Sequence, residues 1–203
     1  MSLDHRQYSP ACARNRGPIL EVLLQVFPSR CRVLEIASGT GEHGAFFACE
    51  QPGWSWQPSD ISSGALSSIQ SWVDHVSVSN VDDPISLDVT ELDWPTVNPD
   101  AVFCANMIHI SPWECTRGLF RGAARVLQPG SPLVTYGPYK LNGAHTAPSN
   151  AAFDDSLRRR DPTWGIRDLS DVCEVALASG FVKEQQHQMP ANNLCVVFRR
   201  ADD

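Results

Sequence analysis

The sequence has no excess of positive charge: 16 Lys and Arg stand against 23 Asp and Glu, a formal net charge of −7. A nucleic acid or an anionic membrane surface calls for a basic face, so neither is expected as a partner. No apolar run approaches the ~18 residues of a membrane span, and the opening MSLDHRQYSP lacks the charged-then-apolar pattern of a secretion signal. The seven cysteines are odd in number and include no C-x-x-C pair, which argues against a disulfide framework and against a zinc knuckle. The six histidines are scattered, and no His/Asp/Glu set has ligand spacing, so no metal is expected. There is no internal repeat. A cytoplasmic protein with reduced thiols follows as the expectation. Its 203 residues suffice for one domain, residues 1–203, with a full hydrophobic core.

What is present is an alternation of strands and helices. PILEVLLQVF (18–27) places Ile19, Leu20, Leu23, Leu24 and Phe27 at helical spacing, with Pro18 at the first helical position. CRVLEIA reads as a strand running into a glycine turn, and GEHGAFFACEQ as the helix that follows. WSWQPSD is a strand ending at Asp60, ISSGALSSIQSWVDHV a helix, ISLDVT a short strand ending near Asp88, and DAVFCANMIHI an apolar strand. Ser111, Pro112 and Glu114 predict a capping box, with Ser111 as the N-cap. The helix it opens stops at Gln128-Pro129-Gly130, and SPLVTYG is the next strand. A helix over 168–179, capped by Asp168 and ended by Gly180, precedes FVKEQQHQ and LCVVFRR. These two strands are too close in sequence to pair other than antiparallel. The expected fold is therefore α/β and Rossmann-like: a seven-stranded, mostly parallel sheet finished by a C-terminal antiparallel hairpin, as in class I methyltransferases that use S-adenosylmethionine (SAM).

VLEIASGTGEHG (33–44) fits two cofactors. Gly39, Gly41 and Gly44 spell the G-x-G-x-x-G of a dinucleotide turn, whereas Glu35, Gly39 and Gly41 fit most of the acidic turn that holds SAM. Asp60, 21 residues after Gly39, can take ribose hydroxyls in either case. Glu35 decides for SAM, since an acid there suits a cationic amino group and would repel a pyrophosphate by ~1 to 4 kcal/mol at ~4 Å. Asp88, at the next strand end, can accept from an adenine amino group. A hydride-transfer apparatus is also missing: Tyr136 and Lys140 have Tyr-x-x-x-Lys spacing, but the intervening Pro138 opposes the helix that would bring them together.

VLEIASGTGEH, WQPSD, NMIHISPW, TAPSN, FDDSLRRRDPTWGIRD and MPANN resemble the signature stretches of the methyltransferase-like 26 family, small SAM-methyltransferase homologues, from about Tyr8 to Arg200. The resemblance implies the class I fold and SAM as cofactor, with S-adenosylhomocysteine as product, and implies no substrate. Ala37 stands where many methyltransferases have the first glycine; alanine fits there if its φ is negative. Beyond Glu35, Asp60 and Asp88, the residues expected around the cofactor are Ala37, Ser38, Gly39, Gly41 and His43 in the turn, with Ile61, Val89, Asn106 and Met107 at strand ends. In the family-like arrangement, Arg14 and Asn15 fold over the methionine end.

Methyl transfer from a sulfonium needs alignment and, for a hydroxyl or amine, removal of a proton. His109 is the expected base and Tyr136 its neighbour at the fifth strand; the alternative for His109 is a histidine that only packs. The long connection 138–167 reads as a lid, with a helix capped by Asn150 that carries Asp154–Arg158 and Asp155–Arg159 pairs. Tyr139, His145, Asn150, Phe153, Trp164 and Arg167, together with Asn192 and Asn193 of the hairpin loop, are candidates for contact with a small-molecule substrate. An inward Arg167 would indicate a carboxylate or phosphate. The expected activity is a SAM-dependent methyltransferase with an O, N or S acceptor. The rivals are a non-catalytic SAM-binding regulator and a nicotinamide-dependent oxidoreductase.

Overall fold

Ser9, not Pro18, starts the first helix. Its hydroxyl accepts from the Cys12 amide, and Pro10 takes the first position of α1 (Pro10–Val26). The expected start at residue 18 is corrected by eight residues: Pro18 lies inside the helix, and Gly17 before it carries no Cβ to clash with the proline ring. Arg14 and Asn15 are consequently helical. The structure, a computed structural model, describes residues 4–95 and 97–202.

The chain continues through β1 (Cys31–Ile36), α2 (Glu42–Glu50), β2 (Trp54–Asp60), α3 (Ser63–Val76), β3 (Ile85–Ser86), β4 (Ala101–Ala105), α4 (Trp113–Val126) and β5 (Pro132–Gly137). A small hairpin of β6 (Lys140–Leu141) and β7 (Ala144–His145), then α5 (Pro148–Arg160), fill the long connection. α6 (Leu169–Ala178), β8 (Phe181–Met189) and β9 (Asn193–Arg200) complete the fold. The seven-stranded sheet has the order β3-β2-β1-β4-β5-β9-β8. Its first five strands are parallel, and β9 runs antiparallel to both β5 and β8. Strand order reverses between β1 and β4, which opens a crevice at their carboxyl ends.

Alternation along the buried strands feeds two cores. Leu34, Ile36, Val102 and Cys104 face Leu119 and Phe120 of α4, while Val33 and Phe103 face Leu23 of α1, Phe47 of α2 and Trp56. Phe47, Phe103 and Trp56 are fully buried, each contributing about 1.5–3 kcal/mol through the area removed from water. Glu35 shares the face of Val33 and therefore points into the aromatic core. Gly44 of α2 passes directly over it: a Cβ there would lie 2.6 Å from Trp56 Nε1 and 2.9 Å from Glu35 Oε2.

Several local expectations are corrected. β3 has two residues instead of six, so Asp88 lies in the turn beyond it, its Oδ1 accepting from the Thr90 amide and hydroxyl. Ser111 does not cap α4; its hydroxyl donates to Met107 O at 2.6 Å, and Glu114 reaches forward to Arg121 instead of back. Asn150 does not cap α5, which starts at Pro148, and of the two expected ion pairs only Asp154–Arg158, at 3.2 Å, is present among the described residues. Asp168 does cap α6, accepting from the Ser170 amide, and Gly180, at φ +80°, follows its end. No helix among the described residues is long and apolar enough to cross a membrane.

Gly44→Ala is expected to destabilise the protein by about 1–3 kcal/mol, because its methyl group must displace the Trp56 indole or the carboxylate beneath it. Gly64→Ala, in the first turn of α3 where the nearest atom is an ordinary 3.7 Å away, is expected to stabilise by up to about 1 kcal/mol. Urea unfolding followed by tryptophan fluorescence should show midpoints moving in opposite directions.

Candidate functional site

The crevice starts from the turn after β1. Ala37 (φ +55°), Gly39 (φ +58°) and Gly41 (φ +88°) all take left-handed conformations. The expectation that Ala37 has negative φ is therefore overturned, and the turn holds an alanine in a region that costs L-residues of order 1–2 kcal/mol. Hydrogen bonds hold it there. Gly39 N donates to Asp60 Oδ2 at 3.0 Å, Ser38 N to Ser59 O at 2.8 Å, Ser59 N to Ser38 Oγ at 3.1 Å, and Ser59 Oγ to Glu35 O at 2.6 Å. The other Asp60 oxygen accepts from Ser62 N at 2.9 Å.

Beside this turn lies a cavity of about 260 Å³. Ala37, Gly39, Asp60 and Ile61 form one side, and Asp88, Val89 and Met107 the other. Seven residues expected at a cofactor thus meet around one space, with Cys115 and Leu87 adding to its walls. A Cβ on Gly39 would meet nothing within 4 Å, so the backbone of the turn faces open space.

The remaining expected cofactor residues lie elsewhere. Glu35 is 1% exposed and sits behind the turn, where its Oε2 accepts from Trp56 Nε1 at 2.9 Å. Burial pushes its carboxyl up to about 7, against the opposing pull of the Trp56 and Ser38 hydrogen bonds. Ser38 is buried in the turn itself. His43 is half-buried, and desolvation pulls its imidazole down to about 4, so it is neutral near pH 7. Its Nε2 lies 2.8 Å from Asn15 Oδ1, to which it donates.

Arg14, Asn15 and Asn106 line a second cavity of about 450 Å³ together with Tyr136, Asn150, Phe153 and Asn193. Ile110 belongs to both cavities and is the wall between them. The left-handed Asn106 (φ +64°) turns the chain at the end of β4, its amide donating to Tyr136 O at 2.7 Å. Asn193 Nδ2 donates to the Tyr136 hydroxyl at 3.0 Å, and Asn150 Nδ2 donates to Asn192 O at 3.0 Å, tying α5 to the hairpin loop. Ala11, Pro138, Ser149, Pro190 and Ala191 complete the lining. None of these five was expected, because small or apolar residues carry no chemical signal of their own.

Six expected catalytic or substrate residues do not reach either cavity. His109 is 1% exposed; it packs edge-on to Tyr139 with ring centroids 5.1 Å apart, and neither ring nitrogen has a hydrogen-bond partner. Burial, aided by Arg167 and opposed by Asp154, pulls it down to about 3, so it is neutral and enclosed. Tyr139 is a core residue whose hydroxyl pairs with Thr135 Oγ1 at 2.8 Å. Arg167 turns away from the cavity and donates to the carbonyls of Ile108, Ser111 and Thr163, stacked 5.5 Å from the Trp113 ring. Trp164 lies under Arg160, and Asn192 is exposed. His145 is drawn to Asp154 at 3.3 Å, beside Lys140 at 3.0 Å.

No group of His, Cys, Asp and Glu among the described residues has the arrangement of a metal site. Among solved structures, an O-methyltransferase family protein from Burkholderia thailandensis superposes with a TM-score of 0.79 at 15% identity, over 95% of this chain and 58% of its own. Mitomycin 7-O-methyltransferase MmcR matches with a TM-score of 0.79 at 16% identity, over 94% and 54%. CalO1, a methyltransferase of calicheamicin biosynthesis in its S-adenosylhomocysteine-bound form, matches with 0.74 at 14%, over 92% and 54%. The chain spans little more than half the length of these proteins, and what it shares with them is the class I SAM methyltransferase fold. The family model described as "Protein of unknown function (DUF938)" matches residues 6–200, and the chain belongs to that family.

Proposed function

We propose that this protein is a SAM-dependent methyltransferase acting on a small molecule. The observation that carries the reading is the cavity beside the glycine turn, lined together by Asp60 at the end of β2, Asp88 in the turn beyond β3, Ile61, Met107 and the open backbone at Gly39. A nucleoside fits this set: Asp60 retains acceptor capacity for ribose hydroxyls beyond its bonds to Gly39 and Ser62, and Asp88 with the Val89 backbone is placed for an adenine edge. Ala37, Ser38, Gly39 and Gly41 would hold the middle of the cofactor, and Asn15, steadied by His43, with Asn106 would meet its methionine end near Ile110. SAM supplies an activated methyl group on a sulfonium. The chain's own residues then bind and align: the second cavity opens beyond Ile110, and α5 covers it through Asn150 and Phe153 as the lid segment 138–167.

The resemblance to the methyltransferase-like 26 family and the shared fold support this reading. So does the net charge of −7, which suits a small-molecule partner better than a polyanion. The free thiols suit a reducing, cytoplasmic setting.

Calorimetry with SAM and with NADH, each alone, tests the reading. SAM is expected to bind and NADH to give no heat, and Asp88→Ala is expected to weaken SAM on the order of tenfold through loss of a charge-assisted hydrogen bond. Binding of NADH alone would sink the proposal. A second prediction concerns Glu35. Its folded value near 7 lies above the ordinary 4.5, so it contributes stability that is fully present below pH 4.5 and lost as pH rises through about 7. Relative to Glu35→Gln, the wild type should therefore lose on the order of 3 kcal/mol across that window. His43 and His109 act in the opposite sense, but both variants contain them, so they cancel in the difference. A difference that stays flat with pH would show that Glu35 is not the buried acid described here.

A further inference from the structure

We propose that the second cavity takes a small apolar molecule bearing a carboxylate, and that this carboxylate is itself the methyl acceptor, the product being a methyl ester. The proposal rests on the SAM reading above and goes on to name the acceptor. Its starting point is what the cavity lacks. Among the described residues no Asp, Glu, His or Lys lines it, in a chain that carries 23 acidic residues and six histidines. A hydroxyl or an ammonium acceptor must lose a proton during or before transfer, and that proton needs a base within reach. His109 is enclosed and does not line the cavity, and His43 spends its Nε2 proton on Asn15. A carboxylate needs no base, because it is already ionised at neutral pH.

The cavity's donors point to the same chemistry. Asn15 accepts from His43 through Oδ1, which leaves its amide N–H groups at the same wall as Tyr136. Asn193 donates to the Tyr136 oxygen at 3.0 Å. With an N–H donor already on the phenol oxygen, the hydroxyl proton is the group Tyr136 has to offer a ligand. Arg14 stands at the same wall, close enough for its charge to act on Tyr136, and has no ion-pair partner among the described residues. A phenol O–H and a free guanidinium together suit an oxyanion. Phe153, Ile110, Pro138 and Pro190 surround them with apolar surface for the remainder of the molecule.

The step balances without a proton transfer. A carboxylate oxygen lone pair forms the new O–CH3 bond, the C–S bond breaks, and its electron pair returns to sulfur. The negative carboxylate and the positive sulfonium become a neutral ester and a neutral thioether. Charge is neutralised along the reaction coordinate, which a cavity of low polarity favours.

The test uses the full chain with saturating methyl-labelled SAM, offered benzoate, phenylacetate, octanoate and a low-molecular-mass filtrate of cells. The expected label is in a product from which alkali releases methanol, formed at a turnover constant between about pH 6 and 8.5, where carboxylates stay ionised. Arg14→Gln should raise KM for the acid on the order of tenfold, Arg14→Lys should recover part of it, and the SAM Kd should change far less than that KM. Label that survives alkali overturns the proposal while leaving the methyltransferase standing. So does a turnover that climbs tenfold per pH unit, and so does the absence of any labelled product from a protein that binds SAM. Failure to bind SAM in calorimetry removes the parent reading and this proposal with it.

Discussion

The carboxylate of Asp60 closes the geometry on which the crevice depends. One of its oxygens takes the Gly39 amide and the other the Ser62 amide, so the end of β2 fixes the turn after β1 and the entry to α3 together. Three residues of that turn have positive φ, and an unrestrained chain would not hold Ala37 there. The paired Ser38–Ser59 bonds and the Ser59 hydroxyl on Glu35 O supply the remaining restraint. Gly41 then enters α2 close against Ile69, where a Cβ would come within 2.8 Å of its Cα. The open space at Gly39 is the consequence: the turn is held against β2 and α3, and its free side faces the cavity.

Glu35 shows where a motif can be right in placement and different in role. Its position four residues before Gly39 favoured SAM through direct contact with an ammonium group. Alternation along β1 puts it on the side of Val33, facing Trp56, with Gly44 closing over it. The acid is therefore a buried acceptor for an indole N–H, and its tie to Ser38 makes it part of the support beneath the turn. Period-two counting from Val33 already carried that information, because a strand buried on both faces leaves no third direction for a side chain.

What was legible in the sequence was local. The strand before the glycine turn, the helix after it, the Asp168 cap, the Gly180 stop and the antiparallel return of the last two strands each depend on residues near one another in the chain. What was not legible depended on tertiary competition for the same group. Ser111 had the right spacing for a cap, but Met107 O, which also accepts from the Ile110 amide, took its hydroxyl. Tyr139 and Arg167 carry the residue types of a binding site, yet Thr135 claims the phenol and three carbonyls claim the guanidinium. His109 occupies the space that Gly137 leaves by having no side chain.

The connection between β5 and α6 explains why the second cavity ends with so little charge. Asp154, almost wholly buried, gathers Lys140, His145 and Arg158 around one carboxylate and also accepts from the Ile166 amide. Burial raises its carboxyl, but the Lys140 and Ile166 bonds and the neighbouring cations outweigh this and hold it below the usual range, so the carboxylate is ionised and surrounded by its own partners. Arg160 is stacked on Trp164 and Arg167 on Trp113. Apart from Arg159, the cations that a charge count assigns to this connection are thus spent on its own architecture, and those that serve to shape α5 cannot also serve a ligand. The positive charge at the cavity comes instead from α1, across the crevice, through the extra turns that Ser9 and Pro10 add before Pro18. On the proposed reading, a substrate held there would meet the first helix and the last hairpin at once, so the elements at the two ends of the sequence would set its chemistry while the turn after β1 would hold the cofactor.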